Sequence, residues 1–379
     1  MKKFVASLVA GIMLFAVCPA AFAANLEFSG KMKSQLIYGQ NPTFGNNWDG
    51  KADLELEASL GDSIKAGFSI QDMERFFTGD WYHQDDEFAG ANPSIDLDGL
   101  WLQSQGALWH NGPEFTTRIG GLDVNYSNYI ADVTDPGVSI AADFGNVSVG
   151  AFNAWTEENG NPGHGLHASL KPADNVELGG TYVKVEKQQS FAIDGTIKPT
   201  EATTLDAVFA SVHDGGNAMK FGGTYQVSDA VSLRASYRDF DPDFAPIWRN
   251  DEDFADIQGL PDYDPNENPV DYYFGEKGIN LGATAQVGGF IIEGDLDVYE
   301  QQVTGEDNTE LSASVAREFE LAGNKFTAKL SGTYDFETEE REELDANLKY
   351  TAPNGLSLEV NHDFEAEATT AAAGFTMNF

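Results

Sequence analysis

Cysteine is almost missing from this chain of 379 residues, since Cys18 is the only one. It falls in a leader expected to be removed, so the mature protein has neither disulfides nor thiol chemistry. Long apolar runs are missing too. Beyond the leader no stretch approaches the roughly 18 consecutive apolar residues of a transmembrane helix. Basic residues are scarce, with 22 Lys and Arg against 61 Asp and Glu and a formal net charge of −39. That balance excludes nucleic acid as a partner, because phosphate binding needs basic patches. Aromatic residues, in contrast, make up 12% of the chain and recur along its length. High charge alone would suit disorder, but disordered chains are poor in aromatics, so the sequence points to packed or lipid-facing structure.

The leader has the form of a secretory signal peptide. Lys2 and Lys3 are followed by the apolar run Phe4 to Val17, and Ala21-Phe22-Ala23 matches the small-x-small cleavage pattern. The expected division is residues 1–23 as signal peptide and 24–379 as one domain. Val17 stands where a lipoprotein signal wants a small residue before Cys18, which argues against lipidation. No Pro/Ser-rich linker and no long stretch of helical period marks a second domain.

The dominant pattern is alternation. Leu54, Leu56, Ala58 and Leu60 interleave with Asp53, Glu55, Glu57 and Ser59. Ile279, Leu281, Ala283, Ala285 and Val287 interleave with Asn280, Gly282, Thr284 and Gln286. Leu356, Leu358, Val360, His362 and Phe364 repeat the pattern near the end. A period of two is the strand period, with successive side chains on opposite faces. Short turns such as Gly61-Asp62, Gly145-Asn146 and Gly288-Gly289 alternate with longer polar connections such as 77–93, 157–163, 241–276 and 301–308. The expected architecture is all-β: 18 to 20 amphipathic segments of about ten residues from Asn25 to Phe379. A single sheet of that size closes, and only a closed barrel satisfies every backbone group in lipid. The reading is therefore one antiparallel up-and-down transmembrane barrel with short turns at one rim and long loops at the other. Phe290, Phe319, Phe326, Tyr350 and Phe379 fall at the short-turn rim, and Tyr237, Tyr299, Phe336 and Phe364 at the loop rim, as two aromatic girdles.

If the apolar face meets lipid, the polar face lines the inside. That inside carries acids including Asp53, Glu55, Glu57, Glu293, Asp295 and Asp297, and bases including Arg118, Lys220, Arg234 and Arg238. So many charges cannot be buried dry, since each unpaired ion costs several kcal/mol, and water inside the barrel resolves this. A water-filled lumen implies passive diffusion of small hydrophilic solutes, with the acidic excess favouring cations. Lys220, Arg234 and Arg238 on one hairpin, against Glu293, Asp295 and Asp297 two strands on, suggest opposed basic and acidic walls. Cross-strand pairing is the plainer alternative, and it is the expectation for Asp53, Glu55 and Glu57 beside Lys31, Lys33 and Lys65.

The longest connection, with Trp248, Arg249, Asp251 and Asp253, is a candidate constriction loop, and Phe77–Pro93 is a second. Asp262-Tyr263-Asp264-Pro265-Asn266 imitates the start of a calcium loop, but Glu267 replaces the required Gly and Tyr273 the terminal Glu. No cofactor or structural metal is therefore expected, beyond loose screening of acidic loops by divalent cations. His164 and His167, three apart, fall on opposite faces of a strand, and no catalytic set is readable. The expectation is a protein that is not an enzyme. A structural or adhesive barrel with a blocked lumen is the main alternative, and a barrel hydrolase a lesser one.

The C-terminal strand sets Ala371, Ala373, Phe375, Met377 and Phe379 on one face and ends on Phe379. This ending resembles the terminal strand of bacterial outer-membrane β-barrels of the porin-like kind. Segment Phe115–Tyr126, with Arg118-Ile119-Gly120, is similar to a porin strand in which an Arg-x-Gly run precedes a loop. The resemblance implies a location in the bacterial outer membrane, contact with its lipid, and recognition of Phe375, Met377 and Phe379 by the barrel-assembly machinery. A homotrimer is a compatible arrangement.

Overall fold

The computed structural model describes residues 26–41, 45–60, 63–70, 100–107, 112–156, 161–248, 275–321, 323–338 and 340–378. These form 22 strands. The first group is β1 (Leu26–Asn41), β2 (Gly45–Leu60), β3 (Ile64–Ile70), β4 (Trp101–Ala107), β5 (Glu114–Gly121), β6 (Val124–Ser127) and β7 (Ala131–Val133). The second is β8 (Pro136–Asp143), β9 (Val147–Trp155), β10 (Pro162–Ala173), β11 (Val176–Val185), β12 (Gln188–Thr200), β13 (Thr203–Val212), β14 (Asn217–Ser228) and β15 (Val231–Phe240). The last is β16 (Glu276–Val287), β17 (Phe290–Gln301), β18 (Glu306–Leu321), β19 (Asn324–Asp335), β20 (Glu340–Thr351), β21 (Leu356–Asp363) and β22 (Ala368–Asn378).

Twenty strands pair antiparallel, each with its sequence neighbour, and the sheet closes where β1 pairs with β22 from Lys31↔Asn378 to Gln40↔Thr369. Among the described residues the hairpin of β6 and β7 is the one departure: it is a separate two-stranded sheet, so β5 pairs with β8. Closure leaves no edge strand, which the backbone requires inside a bilayer. The strand number is therefore the upper end of the expected 18 to 20, with β12 and β13 paired in register.

Alternation sets the two faces. On β10, Leu166, Ala168 and Leu170 are exposed while Gly163 and Gly165 are buried; on β12, Phe191 and Ile193 are exposed while Ser190 and Ala192 are buried. Exposed aliphatic and aromatic residues continue around the barrel, from Ile119, Val138 and Leu178 through Leu281, Val315 and Leu330 to Leu358 and Val360. This belt is the face for lipid. A slip of one residue in any pair would turn its aliphatic row inward and its charges outward, so the pattern fixes the register. Turns at one rim are minimal. Gly288 and Gly289 join β16 to β17 with φ of 61° and 83°, the positive values that a two-residue hairpin turn demands.

Among the described residues the aromatics expected in the girdles face outward with one exception. Phe319 stacks on Phe326 at 5.3 Å, and Phe326 lies 5.1 Å from Tyr350, a row across three strands at the short-turn rim. Tyr299 does not join the loop-rim girdle. It pairs with Gly278 in register on the face opposite Val298, where its hydroxyl donates to Glu310 at 2.8 Å and Arg238 lies over its ring. Phe379 lies outside the described residues.

Candidate functional site

The hydrophobic core of the described residues lies inside the barrel. Leu122, Val124, Ile130, Ala131 and Val133 of the β5–β8 connection pack with Phe152 and Ala154 of β9, Val183 and Val185 of β11, Ala192 of β12, Ala210 and Val212 of β13, Ala218 of β14 and Phe240 of β15. One short hairpin can meet that many neighbouring strands only from the concave side. The connection 122–135 is therefore folded into the lumen, with Ile130, Ala131 and Val133 wholly buried.

Tyr126 is its main anchor. Its ring stacks on His167 of β10 at 4.9 Å and lies 6.0 Å from Phe152. Gly150 makes room on the wall, since a Cβ there would collide with the Tyr126 ring. Thr181 Oγ1 donates to the Tyr126 carbonyl at 3.1 Å. That hydroxyl has one hydrogen, so the 3.0 Å contact with His167 Nδ1 has the imidazole as donor, which assigns the tautomer. Burial pushes the Tyr126 hydroxyl above its ordinary pKa, so it stays neutral. Tyr129 stacks on Phe240, and Trp248 meets Phe152 edge-on at 5.3 Å while its indole donates to Asp135. The connection after β15 thus also turns inward and packs on the hairpin through Phe244 and Trp248.

Elsewhere the described inner wall carries charged side chains that are partly exposed. Lys349 is 3.0 Å from Glu359 with 48% and 34% of their side chains exposed, although both face inward. Lys65 meets Glu57 at 3.1 Å, so the pairing expectation holds for these two. In register Lys31 stands opposite Glu55 and Lys33 opposite Asp53. Arg118 faces inward from β5, stacked on Trp101 at 4.5 Å and donating to the Gly121 carbonyl at 2.7 Å, with Asp123 at 3.6 Å.

Opposed basic and acidic walls are not what the residues of β15 and β17 form. Arg234 pairs with Asp295, its Nε at 2.9 Å, and Arg238 donates to Glu276 and to Asp297, each at 2.8 Å. Both arginines reach across β16 where it has glycine: Gly282 pairs with Arg234 and Asp295, and Gly278 with Arg238. A Cβ on Gly282 would collide with the Arg234 side chain and the Asp295 carboxylate. The charges form one patch of wall, so pairing replaces the transverse arrangement. Arg238 and Glu276 are deeply buried, with 5% and 3% of their side chains exposed. Glu293 faces inward two residues before Asp295 and accepts from Ser314 at 3.4 Å. Lys220 lies on the same inner face, between Val208 and Arg238 in register.

Trp248 is thus one of the constriction candidates that does point inward. Arg249, Asp251 and Asp253, the calcium-like segment and the connection 77–93 lie outside the described residues. The hairpin at 122–135 was not singled out by sequence. Its signal is a connection between strands that is itself apolar, with Leu122, Val124, Ile130 and Val133 beside two tyrosines, where a solvated loop would be polar.

No protein-family model matches the sequence, and no curated protein matches it either. Solved structures do match in fold. OccK5 (OpdH) of Pseudomonas aeruginosa superimposes with a TM-score of 0.54 at 9% identity, covering 93% of this chain and 98% of that one. OpdQ of the same organism gives 0.53 at 10% identity with the same coverage. The chain has the fold of bacterial outer-membrane channels. The closed barrel and its apolar belt make it an outer-membrane protein. At this level of identity the likeness is one of fold.

Proposed function

We propose that the barrel is a passive channel for small hydrophilic solutes that favours cations. The observation that carries this is the two-sided wall: aliphatic residues outside, and inside a set of carboxylates and bases that stay water-exposed. Acidic excess supports the cation preference, because Arg234 and Arg238 are each already matched by a carboxylate while Glu293 and Asp345 face inward with no basic partner among the described residues. The inserted hairpin narrows one side of the lumen, against β9 to β15, and Arg118, Lys220, Asp53, Glu55, Glu57, Glu293, Asp295 and Asp297 serve as lining residues. No cofactor is called for, and no catalytic role is assigned. Phe375, Met377 and the final Phe379 act in assembly, so deleting Phe379 slows insertion without changing the finished channel.

Conductance of the purified protein in a planar bilayer under a salt gradient tests the reading. Steady openings with a reversal potential on the cation side support it. Folded protein that stays silent would instead favour a structural barrel closed by the hairpin and Trp248.

A further inference from the structure

On the outer face the register aligns Asn153, His164, Lys184 and Gln189 across β9 to β12, just below the loop rim. Lys187 stands in the two-residue turn between β11 and β12, next to the exposed Glu186. Lys184 and Lys187 have no ion pair with any described residue, against the trend of a chain with 61 acidic and 22 basic residues. The neighbouring His213, in contrast, lies 3.7 Å from the carboxylate of Asp214. Further round, the same row is self-paired or acidic: Lys277 lies 3.0 Å from Asp239, and Glu300 stands opposite both Lys277 and Asp307.

Two residues down these strands, Leu166, Tyr182 and Phe191 begin the apolar belt. Two further down, Ala168 and Gly180 stand side by side, with Ile193 beyond them. These small residues leave a groove of about 330 Å3 walled by Leu166, Tyr182, Phe191 and Ile193. Nothing lies within 4 Å of the position a Gly180 Cβ would take. The Tyr182 hydroxyl donates to Gln189 at 3.1 Å, fixing the ring at the upper edge. Trp155, exposed on the same face at the end of β9, marks the interfacial level.

We infer that this face is a binding site for a phosphate-bearing lipid of the outer leaflet, its headgroup between Lys184 and Lys187 and one acyl chain in the groove at Ala168 and Gly180. An apolar groove within the belt is filled by hydrocarbon, because a void forfeits dispersion contacts. The two lysines, unmatched among the described residues, select an anionic headgroup, each cation near such a surface being worth about 1 kcal/mol. From Lys184 to Gly180 the strand advances roughly 13 Å, the span from a headgroup into the upper part of a chain. The site rests on the membrane placement of the barrel and not on conduction, so a barrel that passes no ions would keep it.

Native mass spectrometry of the full-length protein, released from micelles with phosphatidic acid or phosphatidylcholine of the same chains, tests the site. Phosphatidic acid is expected to be retained about thirtyfold better, as two lysines would give. K184Q/K187Q reduces it to the phosphatidylcholine level, K184R/K187R restores it, and Gly180→Leu weakens both lipids. Heat-modifiable gel mobility establishes that each variant is folded. Equal retention of the two lipids by the unaltered protein, or undiminished phosphatidic acid on K184Q/K187Q, overturns the headgroup assignment. Unchanged retention by Gly180→Leu overturns the groove.

Discussion

The indole Nε1 of Trp248 donates to the carboxylate of Asp135, tying the hairpin between β5 and β8 to the connection that follows β15. Trp248 is also packed edge-on against Phe152 of the wall. Trp248→Ala removes a buried ring, at a cost of about 3 kcal/mol or more, and frees the hairpin it clamps. The expected outcome is larger and noisier single-channel conductance with earlier loss of heat-modifiable mobility. Asp135→Asn keeps the shape and an acceptor, so it costs about 1 kcal/mol and changes conductance little.

Arg234 and Arg238 lie four residues apart and make similar pairs, yet their removal is expected to differ. Arg234 has 43% of its side chain exposed, so Arg234→Gln costs under about 1 kcal/mol. Arg238→Gln leaves Glu276, with 3% of its side chain exposed, as a buried carboxylate without its cation, at a cost of about 3 kcal/mol or more. Both substitutions unmask lumen carboxylates, so reversal potentials shift toward cations. Denaturant midpoints in micelles separate the two, and equal losses of stability would contradict the burial seen here.

The twenty barrel strands were legible in the sequence because oil and water select different residues at every second position, as on β16 and β21. The inward turn of 122–135 was not, since the strand period does not say which way a loop folds. Only the apolar character of Leu122, Ile130 and Val133 hinted at a dry partner. Tyr299 was misplaced by its nearness to a strand end, although it shares parity with the inward Asp295 and Asp297. The reach of Arg234 to Asp295 needs two strands and an intervening glycine to be set in register, which no local pattern encodes.

Gly282 is expected to be as important to the charge patch as the charges. Gly282→Val places methyl groups where Arg234 crosses β16, displacing it from Asp295. Reversal potential should move toward cations by about as much as in Arg234→Gln. The double substitution adds no further shift, because both act on one pair. Additive shifts would show that Gly282 affects selectivity by another route.

The wall itself is tested by two substitutions on adjacent residues of β19. Leu330 is exposed on the lipid side near the strand's midpoint, and Ser331 faces inward opposite Asp345. Leu330→Arg puts a charge into hydrocarbon at a cost of about 2 to 4 kcal/mol, so folding into vesicles should fall sharply. Ser331→Arg puts the same charge into water beside a carboxylate, so folding should stay close to that of the parent while cation preference declines. The two outcomes depend on orientation alone, since residue type, depth and strand are shared. If the inward arginine proved as damaging as the outward one, the lumen would be too dry to pass hydrated solutes.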